Sequence, residues 1–495
     1  MRASAFVFRL GVTAVIALAT VRAAGYLLYV VWIVAFPLEI QALEAVMVHH
    51  SWRVLTGLPL YPDWETYPHV TNFFTPMYFW LVGSLGRATR ADIPELFVIG
   101  RAVTFLSVLL ATASLAWYLR ARHGTQAACV GALLSLPPAP LYGFALMTRP
   151  DAMADSAGVV GFLLTRLNAR KAPIVGAVLL AVAILTKQTA ALYLLAAILG
   201  CLAEGRYRRA FRITAVSIVV LALACIILTT SSGPLFLKSI VQEGQSPLSA
   251  VAWMRVAERL ATLSPELLIV SVAGLVWWYS QNERGMFVAM ATLLAGSLLT
   301  AFKVGADLNY FLPLRTTCAL AAGTLWAAAH RSFRERAAWI TAAIAGAVLV
   351  MMPGAIHAVA GARQAHALSS YIASASGAPL LETYRSLIGI VQVPNLRVLT
   401  DSALLALYQK ERAPFTDPWL FRLLVETGRI RPRHMEQSLE SGSYDLLVLT
   451  ADLNSRRYDG YDFGLPPFLV RQARARYQRI ATAAGFFIYR PRPPS

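Results

Sequence analysis

Residues 174–203 read IVGAVLLAVAILTKQTAALYLLAAILGCLA, an apolar run in which Lys187 is the single charged residue. A transmembrane helix needs about 20 mostly apolar residues to cross about 30 Å of hydrocarbon. Because Lys187 and Gln188 interrupt the run, we interpret it as two short membrane helices, at 173–187 and 189–204, that meet at a polar end. This pattern predicts a polytopic membrane protein.

The rest of the chain repeats the same pattern. Of its 495 residues, 57% are hydrophobic and 14% are charged, whereas about a quarter of residues are charged in typical soluble domains. We therefore predict an all-α polytopic membrane bundle of about 11 transmembrane helices (11–13 fit the hydropathy), followed by a soluble α/β domain. The predicted spans lie near 12–35, 97–119, 127–145, 152–168, 173–187, 189–204, 213–230, 266–280, 286–303, 310–328 and 337–356. The apolar segment Phe73–Gly86 is too short for a span, and we expect it not to cross.

The net charge of +18 does not indicate a nucleic-acid partner, because of where the basic residues lie. They form short clusters between apolar runs, which is the pattern of the positive-inside rule. The clusters are Arg120 and Arg122; Arg166, Arg170 and Lys171; Arg206, Arg208, Arg209 and Arg212; and Arg331, Arg334 and Arg336. With the N-terminus inside, all of them face the cytoplasm. We therefore expect a multi-pass protein of the cytoplasmic (inner) membrane.

The chain is expected to form two domains. Residues 1–358 would be the transmembrane domain, with a first extracytoplasmic loop at 37–72 and a second large loop at 231–265 that contains an amphipathic helix near 248–262. Residues 359–495 would form an extracytoplasmic α/β domain. The strands predicted in it are Arg397–Thr400, Asp445–Thr450 and Phe486–Tyr489, and the predicted helices are Ser402–Lys410, Pro418–Thr427 and Met435–Ser441.

The first outer loop offers a candidate base. Glu39 comes just after the first predicted span, where a partly desolvated carboxylate can act as a general base or bind a cation. Glu44, His49 and His50 follow within about three helical turns. Polar residues are common at a membrane boundary, so the alternative is that these residues mark only a wetted loop.

A second group of polar residues lies at the outer ends of later spans. Arg149 can hold a phosphate by paired hydrogen bonds, and Asp151 can bind a metal or orient a neighbour; alternatively, Arg149 snorkels and Asp151 caps a helix. Lys187 is harder to explain structurally, because an ammonium between two apolar helices is costly without an anionic partner. Asn309 and Tyr310 lie at the mouth of another span, where Tyr also belongs to the usual aromatic belt.

The order of these motifs resembles the GT-C superfamily of membrane glycosyltransferases, which includes aminoarabinose, protein O-mannosyl and rhizobial core-oligosaccharide transferases. The motifs are an acid after the first helix, GLPLY at 57–61, FTPMYFW at 74–80, RPD at 149–151, LTKQT at 185–189 and NYFLP at 309–313. The likeness runs over residues 30–320. VLTDSALLALY at 398–408 and FTDPW at 415–419 are similar to the outer domain of many such enzymes.

The resemblance implies transfer of a hexose or pentose from a polyprenyl-phosphate-linked sugar to an acceptor hydroxyl outside the cytoplasmic membrane. By position, Glu39 matches the acid that activates the acceptor and Asp151 matches the second acid, so these two are the catalytic candidates. The residues expected to bind substrate are Glu44, His49, Arg149, Lys187, Asn309 and Tyr310. Many relatives carry two adjacent acids in the first loop, whereas Glu39 stands alone. No cofactor is certain, and a divalent cation, if one binds, would be held by Glu39 and Asp151.

Two other interpretations stay open. A lipid or solute transporter (a flippase) would also place polar groups within a bundle, although the polar residues here gather on one face and no inverted repeat is visible. A structural protein could use the bundle as an anchor for its outer domain, although buried ionisable residues are costly in an anchor. The acceptor, whether a glycan, a lipid or a protein of the cell envelope, is also open.

Overall fold

The computed structural model describes residues 2–41, 43–232, 235–244, 247–374, 377–455 and 464–493. In chain order the helices are α1 (Arg2–Ile33), α2 (Glu44–Thr56), α3 (Met77–Thr89), α4 (Ile93–His123), α5 (Thr125–Ser135), α6 (Asp151–Thr165), α7 (Ala172–Thr186), α8 (Ala191–Ala203), α9 (Tyr207–Ser232), α10 (Leu235–Gly244), α11 (Ala250–Leu263), α12 (Pro265–Ser280), α13 (Arg284–Thr300), α14 (Leu312–Ala373), α15 (Ala378–Gln392), α16 (Ala403–Gln409), α17 (Pro418–Glu426), α18 (Arg433–Glu440) and α19 (Pro467–Arg476). The strands are β1 (Val398–Thr400), β2 (Leu446–Leu449), β3 (Tyr477–Ala483) and β4 (Phe486–Pro491).

The N-terminal part is a helical membrane bundle, as predicted. Within the described residues, four segments are long and apolar enough to cross a membrane: Leu10–Ile33, Ile93–His123, Tyr207–Ser231 and Gly346–Ala373. Helices α11 and α12 together form a further candidate that is bent by 88°, and Thr125–Ser135, Ala172–Thr186, Gln188–Ala203 and Arg284–Thr300 are shorter apolar helices. The polytopic bundle is thus confirmed, while the count of about 11 spans stays a prediction.

One predicted span is wrong as a single helix. The segment 127–145 is interrupted where α5 ends at Ser135, and Leu136 takes an extended backbone (φ −64, ψ 143). The cause is the pair Pro137 and Pro138, because proline restricts the residue before it to extended conformations and cannot donate a backbone hydrogen bond.

The predicted break between the spans at 310–328 and 337–356 is also wrong. Helix α14 runs continuously through both, with Pro353 inside it. The residues between the two spans include Arg331 and Glu335, types that favour helix as readily as they mark a loop. Helix α3, in contrast, has 13 residues and reaches only about 20 Å, so it is too short to span the hydrocarbon, as expected.

The C-terminal part contains one four-stranded sheet in the order β1-β2-β4-β3. Strands β1 and β2 are parallel, and the other two pairings are antiparallel. The three predicted strands and three predicted helices are confirmed as β1, β2, β4 and α16–α18. Strand β3 was not predicted, because its sequence contains no apolar run. As an edge strand it buries only Tyr477 among its described residues, and Ile480 is 48% exposed.

The loop of residues 37–72, which was predicted to be extracytoplasmic, lies between the bundle and the C-terminal sheet. The backbone N–H of His69 donates to the carbonyl of Pro414 over 2.8 Å, and Trp64 is buried among apolar side chains of the C-terminal part. Further along, the Thr75 hydroxyl donates to the carbonyl of Ile184 near the end of α7, over 3.1 Å. These contacts hold the loop against the polar end of α7.

Candidate active site

The centre of the candidate site is one carboxylate that meets three donors. Asn309 Nδ2 donates to Asp151 Oδ1 over 2.6 Å, and the Lys187 ammonium donates to the same oxygen. Arg149 Nε donates to Asp151 Oδ2 over 3.1 Å. All four residues are buried, with no more than 7% of their surface exposed. Four predicted site residues from three distant parts of the chain therefore meet at one point.

Helix ends bring these side chains together. Asp151 is the first residue of α6, directly after Pro150, a residue type that suits a helix start. Lys187 follows the last residue of α7 in an extended conformation. Asn309 lies in a short 3-10 turn before α14, and the Asp307 side chain caps that turn by accepting from the N–H of Leu308 over 2.7 Å.

A cleft opens beside this cluster. Asp151, Lys187 and Asn309 line it together with Tyr310, whose ring centroid lies 5.0 Å from Lys187 Nζ. The other wall is mixed and contains Thr189, Leu192, Thr300 and Pro313. The lining offers both charged and apolar surface, but the cleft has a volume of only about 30 Å³, which is room for about one water molecule. A sugar-phosphate headgroup would therefore enter only after these side chains move apart.

Glu44 forms a buried ion pair with Arg101, in which both side chains have 0% exposure. Arg101 Nε and Nη2 each lie 2.8 Å from one carboxylate oxygen. The same carboxylate accepts the backbone N–H groups of Thr148 at 2.7 Å and Ile40 at 2.9 Å. Both oxygens of Glu44 are thus engaged by the protein itself, and its role in binding substrate stays a prediction.

The Glu44 ion pair fastens two parts of the site to each other. Ile40 adjoins Glu39, and Thr148 adjoins Arg149. The Glu44 carboxylate therefore holds the loop that carries Glu39 against the segment that carries Arg149. A second contact supports the first, since Arg149 Nη1 donates to Gln41 Oε1 over 3.4 Å. Glu39 therefore lies at the same end of the bundle as the Asp151 cluster.

Glu39 has surroundings that differ from those of Asp151. Its side chain is half-buried, and among the described residues no hydrogen-bond partner meets its Oε2 atom. Burial and the negative charge of Glu44 raise the pKa of the Glu39 carboxyl well above its ordinary value, against the opposing effects of the Ala45 N–H and Arg101. Such a carboxylate has a high affinity for a proton.

His49 is placed away from the cleft. It is buried on α2 beside Trp52, with 5.6 Å between the ring centroids, and it is not among the described residues that line the cleft. Burial and the charge of Arg53 lower the pKa of His49 to about 3. The imidazole is therefore neutral near pH 7, and its predicted contact with substrate stays untested.

Sequence reasoning missed a second ion pair, whose carboxylate, Asp155, also lines the cleft. Arg315 Nη2 donates to Asp155 Oδ2 over 2.6 Å, and the Tyr193 hydroxyl donates to Asp155 Oδ1 over 2.6 Å. Asp155 stands four residues after Asp151 on α6, so both carboxylates lie on the same helix face. The signal was present, because Asp155 and Arg315 are ionisable residues inside the predicted spans 152–168 and 310–328.

Three solved structures with similar architecture cover nearly the whole chain. ArnT from Cupriavidus metallidurans bound to undecaprenyl phosphate is 15% identical, with a TM-score of 0.57 over 95% of this chain and 97% of that one. Archaeal oligosaccharyltransferase AglB from Archaeoglobus fulgidus, in complex with an inhibitory peptide and a dolichol-phosphate, is 12% identical (TM-score 0.56; 96% of this chain, 74% of that one). An Archaeoglobus fulgidus oligosaccharyltransferase in complex with Zn and sulfate is also 12% identical (TM-score 0.54; 95% and 73%).

The chain has the GT-C fold. The resemblance drawn from the motif order is confirmed at this level, since ArnT and AglB are both GT-C glycosyltransferases. At identities of 12–15%, the likeness establishes the architecture and leaves substrates and residue roles to be argued from the site. No family model matches the sequence, and no curated protein matches it.

A divalent cation, if one binds, was expected between Glu39 and Asp151. The groups that surround Asp151 do not fit a metal ion. Both oxygens of Asp151 already accept from Lys187, Asn309 and Arg149, and a lysine or arginine cation occupies the position that a metal ion would need. Among the described residues, no group of three His, Cys, Asp or Glu side chains could hold a metal. We therefore assign no chemical step to a metal.

Proposed function

We propose that this protein is a glycosyltransferase that moves a sugar from a polyprenyl-phosphate donor to an acceptor hydroxyl at the membrane surface. One observation carries the proposal: a carboxylate oxygen of Glu39 that has no hydrogen-bond partner among the described residues lies at the same end of the bundle as the buried cations Arg149 and Lys187. A transferase of this kind needs a base for the acceptor and cations for the departing phosphate.

The cationic side of the site suits a lipid phosphate. A guanidinium has five N–H donors, and the contacts from Arg149 to Asp151 and Gln41 use two of its three nitrogens. Lys187 and Arg149 together carry two positive charges against the one negative charge of Asp151. The surplus charge favours an anion, and phosphate oxygens match the geometry of a guanidinium.

The two candidate carboxylates receive different roles. Asp151 is bonded to two cations, which makes it a poor proton acceptor, so its role is to position Lys187 and Arg149. Glu39, whose pKa is raised by burial and by Glu44, is the better base. This assignment keeps both predicted catalytic residues in the site and separates what they do.

The proposed step is a single displacement at the anomeric carbon of the sugar. Glu39 accepts the proton of the acceptor hydroxyl while the hydroxyl oxygen forms a bond to that carbon. The bond from the carbon to the phosphate oxygen breaks, and its electron pair leaves with the polyprenyl phosphate. Arg149 and Lys187 stabilise the charge that develops on the leaving group.

We extend the proposal to the class of the donor and to the orientation in the membrane. ArnT with undecaprenyl phosphate and AglB with a dolichol-phosphate support a polyprenyl-linked donor for this fold. Residues 1–358 would then form the catalytic membrane domain in the cytoplasmic membrane, and residues 359–495 would form an extracytoplasmic domain over the site. The transferred sugar would be a hexose or a pentose.

The decisive experiment compares Glu39→Gln with Glu65→Gln in cells that lack the endogenous protein. Glu65 lies in the same loop, and its only described ion pair is an exposed one with Lys238, so it is a matched control. We expect mass spectrometry of the cell-envelope glycans to show one sugar that is lost with Glu39→Gln and retained with Glu65→Gln. Both variants should reach the membrane in equal amounts.

Two outcomes would contradict the proposal. Envelope glycans that are identical with and without the protein would remove the transferase function. Vesicles that accumulate a substrate while no covalent product forms would favour the transporter interpretation instead. Full transfer by Glu39→Gln would leave the function standing and remove only the assignment of the base.

A further inference from the structure

A large cavity lies at the end of the bundle opposite the candidate active site. It has a volume of about 570 Å³ and lies between the starts of α7 and α9. It is open to the surface, and five arginines line it, of which only Arg209 is partly buried and the other four are exposed: Arg170, Arg206, Arg208, Arg209 and Arg212. No role in sugar transfer explains this cavity, because its location is remote from the cleft.

Helix α7 fixes that separation. Lys187 of the active site follows its last residue, whereas Pro173 of the cavity lies in its first turn. The 15 residues of α7 cover about 22 Å along the helix axis. The cavity therefore faces the opposite side of the membrane from Lys187, and its arginines assign that side to the cytoplasm by the positive-inside rule.

The arginines of the cavity greatly outnumber their acidic neighbours. Glu204 pairs with Arg206 over 3.2 Å, and it also pairs with Arg166 outside the cavity. Arg209 donates to the carbonyl of Thr165 over 3.3 Å. For the remaining three, Arg170, Arg208 and Arg212, no carboxylate lies within 4.0 Å among the described residues. Like charges gathered in a concave site favour the binding of an anion.

The rim of the cavity is apolar and faces outward. Ile174 is 46% exposed and Tyr207 is 68% exposed, and Phe211, one turn further along α9, is 73% exposed. On a membrane helix, such side chains contact lipid. The positive-inside rule explains arginines near the membrane, but it does not require them to line one cavity beside lipid-facing aromatic residues.

We propose that this cavity binds the phosphate headgroup of an anionic phospholipid from the cytoplasmic leaflet. The guanidinium groups of Arg170, Arg208 and Arg212 hold the phosphate oxygens, and the acyl chains lie along Ile174 and Phe211. Basic pockets between membrane helices on the cytoplasmic side suit such headgroups. The inference does not depend on the transfer reaction, and it would stand if the proposed function failed.

The test uses the full chain purified in detergent and examined by native mass spectrometry. The variant Arg170→Gln/Arg208→Gln/Arg212→Gln removes three charges from the cavity. The control Arg120→Gln/Arg284→Gln/Arg331→Gln removes three arginines that are equally exposed but lie outside the cavity. Each protein is titrated with cardiolipin, phosphatidylglycerol and phosphatidylcholine, and separately with inorganic phosphate.

We expect the wild-type protein and the control to bind cardiolipin and phosphatidylglycerol far better than phosphatidylcholine. The cavity variant should lose affinity on the order of a hundredfold for the anionic lipids, since each arginine near a lipid surface contributes about fivefold. Unchanged monodispersity of the variant would show that it is folded. Equal losses in the control and the cavity variant would overturn the proposal, and so would binding of inorganic phosphate without binding of lipid.

Discussion

The cationic side of the site makes a quantitative prediction for Lys187→Gln. The Lys187 ammonium and the Asp151 carboxylate form an ion pair in which the side chains are only 8% and 2% exposed. A hydrogen bond to a charged group in such a place is worth about 1.5–3 kcal/mol. If Lys187 stabilises the departing phosphate, its loss should lower kcat/KM by about ten- to a hundredfold. The fold should survive, because Asp151 keeps its contacts with Arg149 and Asn309.

The assay is the initial rate of sugar transfer from a polyprenyl-phosphate sugar in detergent micelles. The matched control is Lys171→Gln, which makes the same change at an exposed residue beside the opposite end of α7, and we expect it to retain wild-type activity. Lys187→Arg, which keeps the charge with a different shape, should fall between the two. A Lys187→Gln enzyme that transfers as fast as Lys171→Gln would refute the assignment of Lys187 to the leaving group.

Three further predictions follow from the packing and charge around the site. Because the pKa of Glu39 is raised by burial and by the charge of Glu44, kcat/KM should fall on the acid side at a higher pH than for an ordinary glutamate. Glu44→Gln should shift this fall in kcat/KM to lower pH. An unchanged pH profile would contradict the electrostatic coupling of Glu39 and Glu44. Arg101→Met leaves the fully buried Glu44 carboxylate without its cation, which should lower the free energy of unfolding by about 3–5 kcal/mol. The double variant Arg101→Met/Glu44→Gln should unfold at a higher temperature than Arg101→Met alone. Equal stability of the two variants would count against a buried ion pair. A Cβ on Gly176 would lie 2.7 Å from a carbonyl oxygen of α6. Gly176→Val should therefore push α6 and α7 apart and lower both the melting temperature and the transfer rate. The control Gly389→Val adds a side chain in open space and should change neither.

The sequence was most informative where the polarity of the chain changes. The lone charge of Lys187 in an apolar run predicted both a helix end and an anionic partner, and the structure places both there. The identity of the partner was not predictable from spacing. Asp151 lies 36 residues earlier in the chain, and only the antiparallel packing of α6 and α7 brings the two together.

The two buried ion pairs that sequence reasoning missed share one feature, an arginine inside an apolar helix. Arg101 lies within the predicted span 97–119, and Arg315 within 310–328. Each is fully or nearly fully buried in an ion pair. An ionisable residue inside a membrane segment is a signal of a buried partner, and pairing such residues across spans would have located both contacts.

The cost of these ion pairs bears on what the bundle is for. Glu44–Arg101, Asp151–Lys187 and Asp155–Arg315 are each nearly or wholly excluded from solvent. Removing a charge from water costs several kcal/mol, and a well-packed apolar pair is often more stable than a buried ion pair. A bundle that served only as an anchor would gain stability by replacing them. The pairs instead fix the loop of Glu39, the cations Lys187 and Arg149, and the face of α6 that carries Asp151 and Asp155 in one arrangement. A site must hold its reacting groups in place in this way before the substrate arrives.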